Sequence, residues 1–225
     1  MRPRVEGVSF VEVLYGSMAR GDDDIFSDVD LLIIDDNADR QPSLSSATIV
    51  QYTWSEFSEM ASYGSLFLWH LRMEGRTLSA DDDGRIAYRG ILDDLPRYNR
   101  SSSDLESFEL AIADSELALI QGDTSVEFEL GSLATVMRHC SILGSYLMGS
   151  AVFSRTGALD LCCDRLGLGA EPKEEFRRLY AYRIAIARGV PFGDSPTVTE
   201  ALSSVRTART ILNGIREYAS RTAVS

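Results

Sequence analysis

A pair of aspartates directly precedes an unbroken apolar run near the N-terminus, in the segment Ser27-Asp-Val-Asp-Leu-Leu-Ile-Ile34. An apolar run of this length, bounded by polar residues, is typical of a buried β-strand. Residues two apart on a strand project to the same face, so Asp28 and Asp30 are expected to lie side by side. Two adjacent carboxylates repel each other unless a cation joins them, and Mg²⁺ commonly takes one or two protein carboxylates. The segment therefore predicts a buried strand that begins at a metal site.

A glycine-serine turn precedes this strand. Residues 8–15 alternate and are rich in β-forming residues, which predicts a first strand that Gly16 and Ser17 break. Ser17 is expected to cap a short helical turn that ends near Arg20. The backbone N–H groups and the hydroxyl of such a turn form an anion site, and Arg20 is placed to neutralise a phosphate. A phosphate-binding turn followed by metal-binding carboxylates predicts phosphoryl or nucleotidyl transfer.

The rest of the N-terminal half continues the alternation of strands and helices. Residues 47–52 predict a third strand. Thr53-Trp-Ser-Glu56 has the form of a capping box and predicts a helix over about 54–61. Residues 64–75 show helical spacing of apolar side chains, and Gly75 is expected to end that helix.

Two acidic segments and one linker complete this half. Asp22–Asp24 and Asp81–Asp83 are interpreted as solvated loops or turns, and residues 92–103 are expected to form a linker. Helical patterns dominate after the linker, over 104–120, 126–149, 151–166, 173–188 and 197–220. The sequence therefore predicts an α+β protein with two domains, a strand-containing domain over 1–100 and an all-α helical bundle over 101–225.

Composition narrows the function classes. The 225 residues carry 34 acidic and 22 basic side chains, a net charge of −12, which disfavours binding to polymeric nucleic acid or to an anionic membrane surface. No stretch resembles a transmembrane helix, and the N-terminus lacks the apolar core of a signal peptide. Three cysteines, of which two are adjacent, cannot all pair internally. We therefore expect a protein of the reducing cytoplasm.

The glycine-serine turn and the aspartate strand together resemble the DNA polymerase β-like nucleotidyltransferase superfamily. The family signature is Gly-Ser, with Ala-Arg-Gly often following, and then Ser-Asp-x-Asp-Leu on the next strand. This sequence matches the signature at Gly16, Ser17, Ala19, Arg20, Gly21, Ser27, Asp28, Asp30 and Leu31. The match is closest to the minimal and the antibiotic nucleotidyltransferases. A second Gly-Ser pair, Gly64-Ser65, has no such strand after it.

The resemblance implies a nucleotidyltransferase-type mixed β-sheet and a mechanism. Gly16, Ser17, Arg20 and Ser27 would bind the nucleotide, while Asp28 and Asp30 would bind Mg²⁺. A hydroxyl would attack the α-phosphate of a nucleoside triphosphate, for which ATP is the expected substrate, and pyrophosphate would leave. The expected acceptor is a small molecule, for example an antibiotic, or a protein, and a homodimer is a further expectation.

One departure from the family pattern concerns a third carboxylate. Active members usually place one on a following strand, but residues 47–53 contain no acid, and Thr48 or Gln51 stands at the expected position. Three explanations stay open at this point. The base comes from elsewhere, for example from Glu127 or Glu129 in the helical half, with Glu129 as the assigned catalytic candidate; two carboxylates suffice; or the protein binds nucleotide without turnover, as a regulatory module.

Overall fold

The computed structural model describes residues 9–21, 28–37, 42–44, 47–191 and 196–222. The chain separates into two compact units, Met1–Arg100 and Ser101–Ser225. Within the described residues, all strands belong to the first unit, and the second unit is helical. The structure is therefore of the α+β class that the sequence predicts.

A four-stranded mixed sheet forms the first unit. Its strands are β1 (Phe10–Tyr15), β2 (Asp30–Asp35), β3 (Thr48–Tyr52) and β4 (Arg76–Ala80), in the spatial order β3-β2-β1-β4. Strand β1 pairs antiparallel with both β2 and β4, whereas β2 pairs parallel with β3. The antiparallel pairing of β1 with β2 returns the chain to the place where β1 ended, so Tyr15 lies in register with Asp30.

Three helices pack on this sheet: α2 (Trp54–Ser62), α3 (Leu66–Glu74) and α4 (Asp82–Asp93). A shorter helix, α1 (Gly16–Arg20), connects the end of β1 to the segment before β2. The core consists of buried side chains from alternate strand positions and from the inner faces of the helices, including Val11, Val13, Leu32, Ile34, Phe57, Leu68, Leu71, Tyr88 and Leu92. Burial of this apolar surface is the main term that holds the unit together.

The capping box at the start of α2 is confirmed. The Thr53 hydroxyl accepts a hydrogen bond from the Glu56 backbone N–H at 3.2 Å, and the Glu56 carboxylate accepts one from the Thr53 N–H at 2.8 Å. The prediction that Ser17 caps α1 is wrong, because Tyr15 occupies the N-cap position and no side chain bonds there. The chain turns at Gly16 itself, where φ is +76°, so Ser17 lies inside the helix.

Strand β4 and helix α4 are not predicted by the sequence, in which Asp81–Asp83 are interpreted as a solvated loop or turn. Asp81 is instead the N-cap of α4, and its Oδ1 accepts a hydrogen bond from the Gly84 N–H at 2.6 Å. Its Oδ2 accepts a second one from the Phe10 N–H at 3.0 Å. A glycine inside a helix looks like a turn signal, but Gly84 is needed here because its Cα faces the carbonyl of Phe10 with no room for a side chain.

The second unit contains five helices in its described residues: α5 (Ser101–Gln121), α6 (Val126–Leu147), α7 (Gly157–Leu166), α8 (Glu171–Arg188) and α9 (Val198–Thr222). Each overlaps one of the helices that periodicity predicts. Helix α6 contacts all four others and is buried along most of its length. Arg209 of α9 bridges Glu109 and Glu116 of α5, at 3.2 and 2.8 Å. The three cysteines, Cys140, Cys162 and Cys163, are buried free thiols.

None of the helices described in either unit combines the length and apolar character needed to cross a membrane.

Candidate functional site

The predicted phosphate-binding turn lies at the end of β1. Gly16 is the first residue of α1 and Gly21 is its C-cap, and both adopt a positive φ, +76° and +78°, which glycine tolerates better than any residue with a side chain. The Gly21 N–H donates to the Ser17 carbonyl at 2.9 Å and closes the turn. Within α1, Gly16 and Ala19 are buried while Ser17 is half-buried.

Asp30 lies directly against this turn. A Cβ atom built on Gly16 would lie 2.6 Å from Oδ2 of Asp30, closer than a real Cβ approaches any atom. The absence of a side chain at Gly16 therefore lets the carboxylate approach the backbone of the turn. The structure thus brings together two of the residues that the sequence predicts for one site.

Asp28 lies two residues before Asp30, at which β2 begins. The Val29 carbonyl accepts a hydrogen bond from the Thr48 N–H at 2.7 Å, so the pairing with β3 extends one residue beyond β2. Alternate side chains on such a segment project to one side. Asp28 is exposed and Asp30 is half-buried, so the pair is accessible to a ligand. Ser27, the remaining predicted nucleotide-binding residue of this strand, lies outside the described residues, as do Asp22–Asp24.

Tyr15 interacts electrostatically with Asp30 at this site. Burial, and then the negative charge of Asp30 and the proximity of Tyr52, raise the pKa of the Tyr15 hydroxyl to about 12. The ring of Tyr15 makes edge-to-face contacts with Phe67 and His70 of α3, at centroid distances of 5.4 and 5.8 Å. The aromatic ring of Tyr15 therefore packs against α3 and lies next to the Asp30 carboxylate. The sequence interpretation did not single out Tyr15.

Thr48 and Gln51, the two residues considered for the place of a third carboxylate, both lie on β3. Thr48 is in register with Asp30 in the parallel pair β2–β3, so both side chains project from the same face of the sheet. Gln51 is in register with Ile33 and belongs to the opposite face. Of these two residues, only Thr48 shares a face with Asp30, and its side chain is a hydroxyl instead of a carboxylate.

The residues present fit a cation that needs few protein ligands. Among the residues that the structure describes, no group of three His, Cys, Asp or Glu side chains is arranged to hold a metal ion. Asp28 and Asp30 alone would suit Mg²⁺, which usually keeps several waters and completes its shell with substrate phosphate oxygens. They would not suit a metal that requires a closed, all-protein cage.

Arg20 is held by an acid that the sequence interpretation missed. Its Nη1 lies 2.7 Å from Oε2 of Glu74 on α3, and the same oxygen lies 2.9 Å from Nε2 of His70. Burial alone would raise the pKa of Glu74, but the hydrogen bonds from His70 and Arg20 hold it below its usual value. The spacing of His70 and Glu74 by four residues was the available signal, because such residues are neighbours on a helix.

Glu129 belongs to the second unit. It lies near the start of α6 and is only 7% exposed. A negative charge near a helix N-terminus is stabilised by the helix dipole, which is one reason for an acid at this position. Its assignment as a catalytic carboxylate stays a prediction, as does that of Glu127.

No protein-family model matches this chain, and a search of curated proteins finds no relative. A functional assignment therefore rests on the residues of the site and on their arrangement.

Proposed function

We propose that this protein is a Mg²⁺-dependent nucleotidyltransferase with a nucleotidyltransferase-type fold. It moves a nucleoside monophosphate from a nucleoside triphosphate, for which ATP is the expected substrate, to a hydroxyl of a small molecule or a protein. The observation that carries the proposal is the contact between Asp30 and Gly16, whose hypothetical Cβ would lie 2.6 Å from Oδ2. This contact puts Asp30, one of the two metal-binding candidates, against the turn that would hold the phosphates.

The residues of the site have distinct roles in this proposal. Asp28 and Asp30 would hold Mg²⁺, which when bound offsets the negative charge of the triphosphate. The backbone at Gly16 and the hydroxyl of Ser17 would orient the phosphates, and Ser27 would assist. Glu74 would be a positioning residue. Its ion pair with Arg20, at 2.7 Å, would hold the guanidinium group toward the phosphates.

The reaction is an in-line displacement at the α-phosphorus. The acceptor oxygen forms a bond to phosphorus, the bond from phosphorus to the bridging oxygen of the β-phosphate breaks, and pyrophosphate leaves. The hydroxyl proton passes to a base, for which Glu129 is the candidate that the sequence supplies. A Glu129→Gln variant that binds nucleotide normally but turns over at least about tenfold more slowly would support that role.

A second candidate function is a nucleotide-binding or regulatory protein without turnover. The observation that favours it is the register of Thr48 with Asp30, because a residue without charge occupies the place where a third carboxylate would complete the metal site. Binding of Mg-nucleotide needs the turn and two carboxylates only, whereas the reaction also needs a base.

One experiment separates the two functions. The protein is incubated with labelled nucleoside triphosphates, Mg²⁺ and a panel of hydroxyl acceptors, and both nucleotide binding and pyrophosphate release are measured. Asp28→Asn and Asp30→Asn should abolish Mg²⁺-dependent binding and release, while Asp83→Asn, an exposed acid in the first turn of α4, should change neither. Tight binding without pyrophosphate release would favour the regulatory function. No binding of any nucleotide would reject both.

A further inference from the structure

A pocket of about 450 Å³ lies beside the edge strand β4, where α3 and α4 flank it. Three arginines line it, Arg72 from α3 and Arg85 and Arg89 from α4, and all three are exposed. Arg85 and Arg89 are four residues apart, so their side chains leave the same face of α4. The buried residues Leu71 and Tyr88 also contribute to the lining.

The pocket carries an excess of positive charge, because three guanidinium groups line it against the single carboxylate of Asp93. Within the described part of the chain no carboxylate forms an ion pair with any of them, although Asp93 also lines the pocket. Arg72 has an aromatic contact instead, 5.1 Å from the centroid of the Trp69 ring. Other arginines of this acidic chain are paired with acids, for example Arg20 with Glu74, Arg178 with Glu175, Arg209 with Glu116 and Arg216 with Glu109.

This pocket is distinct from the candidate nucleotide site. His70 and Glu74 of α3 face Tyr15 and Arg20 at that site. Arg72 lies midway between them in sequence, so its side chain leaves the helix about 200° away from each of theirs. The two sets of side chains therefore project from opposite sides of α3.

We propose that this pocket is a second anion site, which binds the polyphosphate group of a small ligand. Three positive charges around one concavity repel each other, and a ligand with several negative charges removes that repulsion. Guanidinium groups bind phosphate oxygens in bidentate fashion, and a polyphosphate has enough charged oxygens to pair with several of them at once. The volume of about 450 Å³ is that of a small-molecule site, not of a macromolecular interface.

The proposal does not depend on the nucleotidyltransferase function and can be tested apart from it. Titration calorimetry with tripolyphosphate is carried out in EDTA at about 0.15 M ionic strength, so that no Mg²⁺ supports the candidate nucleotide site. We expect one saturable site. The double variant Arg85→Gln/Arg89→Gln and the single variant Arg72→Gln should weaken binding, by at least about tenfold for the double variant.

Two controls locate the site. Arg206→Gln removes another exposed arginine, from α9, and Asp30→Asn alters the candidate nucleotide site, so both should bind tripolyphosphate within about twofold of the wild type. A parallel titration with ATP shows whether the ligand is a nucleotide. Equal affinities for ATP and tripolyphosphate indicate that the pocket recognises the polyphosphate alone. A higher affinity for ATP indicates that the ligand is a nucleotide. Absence of saturable binding, or binding that the pocket variants leave unchanged, would overturn the proposal.

Discussion

The carboxylate of Asp30 lies over the Cα of Gly16, so close that a Cβ on Gly16 would be 2.6 Å from Oδ2. Gly16 also has a φ of +76°, which costs any residue with a side chain free energy. Two independent constraints therefore require glycine at the first residue of α1. The turn and the metal-binding candidate form one structural unit.

Replacement of Gly16 by alanine should damage both stability and ligand binding. We expect Gly16→Ala to lower the free energy of unfolding by about 2 kcal/mol, because it adds a strained φ and a clash with Asp30. The affinity for Mg-nucleotide, measured by calorimetry, should also fall in this variant. Gly90→Ala in α4 is the control, since a Cβ at Gly90 meets no atom within 4 Å and should raise stability by about 0.5 kcal/mol. A Gly16→Ala protein as stable as the wild type would contradict the strain argument.

A carboxylate introduced on β3 should increase the affinity of the candidate site for Mg²⁺. Thr48 shares a face with Asp30, so Thr48→Asp would place a third carboxylate beside the pair. We expect the Mg²⁺ affinity to rise about tenfold, because affinity follows the number of charged ligands. Gln51→Asp adds the same charge to the opposite face and should leave the affinity nearly unchanged. Equal effects of the two variants would show that only net charge matters.

Asp81 should be the critical member of the acidic run at residues 81–83. Its two oxygens accept hydrogen bonds from the N–H groups of Gly84 and Phe10, so it caps α4 and joins that helix to β1. We expect Asp81→Ala to lower the free energy of unfolding by about 2–3 kcal/mol. Asp83→Ala should cost less than about 1 kcal/mol, because Asp83 interacts mainly with the helix dipole. Similar losses, measured by denaturant unfolding, would contradict the role of Asp81.

Removal of the Tyr88 hydroxyl should stabilise the protein. This oxygen is buried and has no hydrogen-bond partner among the described residues, while its ring stacks on Phe57 at 5.8 Å. Tyr88→Phe keeps the ring contact and removes the desolvation cost, so the free energy of unfolding should rise by about 1 kcal/mol. Tyr180→Phe is the control and should lower the free energy of unfolding, because the Tyr180 hydroxyl accepts a hydrogen bond from Arg183 at 2.9 Å. A loss of stability in Tyr88→Phe would reveal a partner for the hydroxyl.

Tyr15 should make stability depend on alkaline pH. Its pKa is raised from 10.0 to about 12, so the folded state holds the phenolic proton more tightly than the unfolded state does. The associated stabilisation is complete below pH 10 and disappears as the pH rises to 12. Because other buried groups also have raised pKa values, Tyr15→Phe should lose less stability than the wild type over this pH range in unfolding experiments. Asp30→Asn should lower the pKa of Tyr15, as followed by the absorbance of tyrosinate, and an unchanged titration would contradict the electrostatic coupling between them.

Local signals sufficed for much of the first unit. The apolar run after Asp30 predicts β2, and the reciprocal hydrogen bonds of Thr53 and Glu56 follow from their spacing. Strand β4 was missed because Arg76–Ala80 lacks a clear alternation, and its strand conformation depends on pairing with β1. Helix α4 was missed because Asp81 and Gly84 resemble a turn when their contacts with Phe10 are unknown.

The sequence by itself determined which residue types meet at the candidate site: a glycine-serine turn and two aspartates at the start of a buried strand. It also indicated the succession of an α+β half and a helical half, because apolar periodicity is a local property. Only the tertiary structure decided that Thr48, and not Gln51, lies opposite Asp30, since register depends on how strands pair. It likewise decided that Glu74 holds Arg20 and that three arginines from α3 and α4 surround one pocket, because these contacts join segments whose proximity no local pattern encodes.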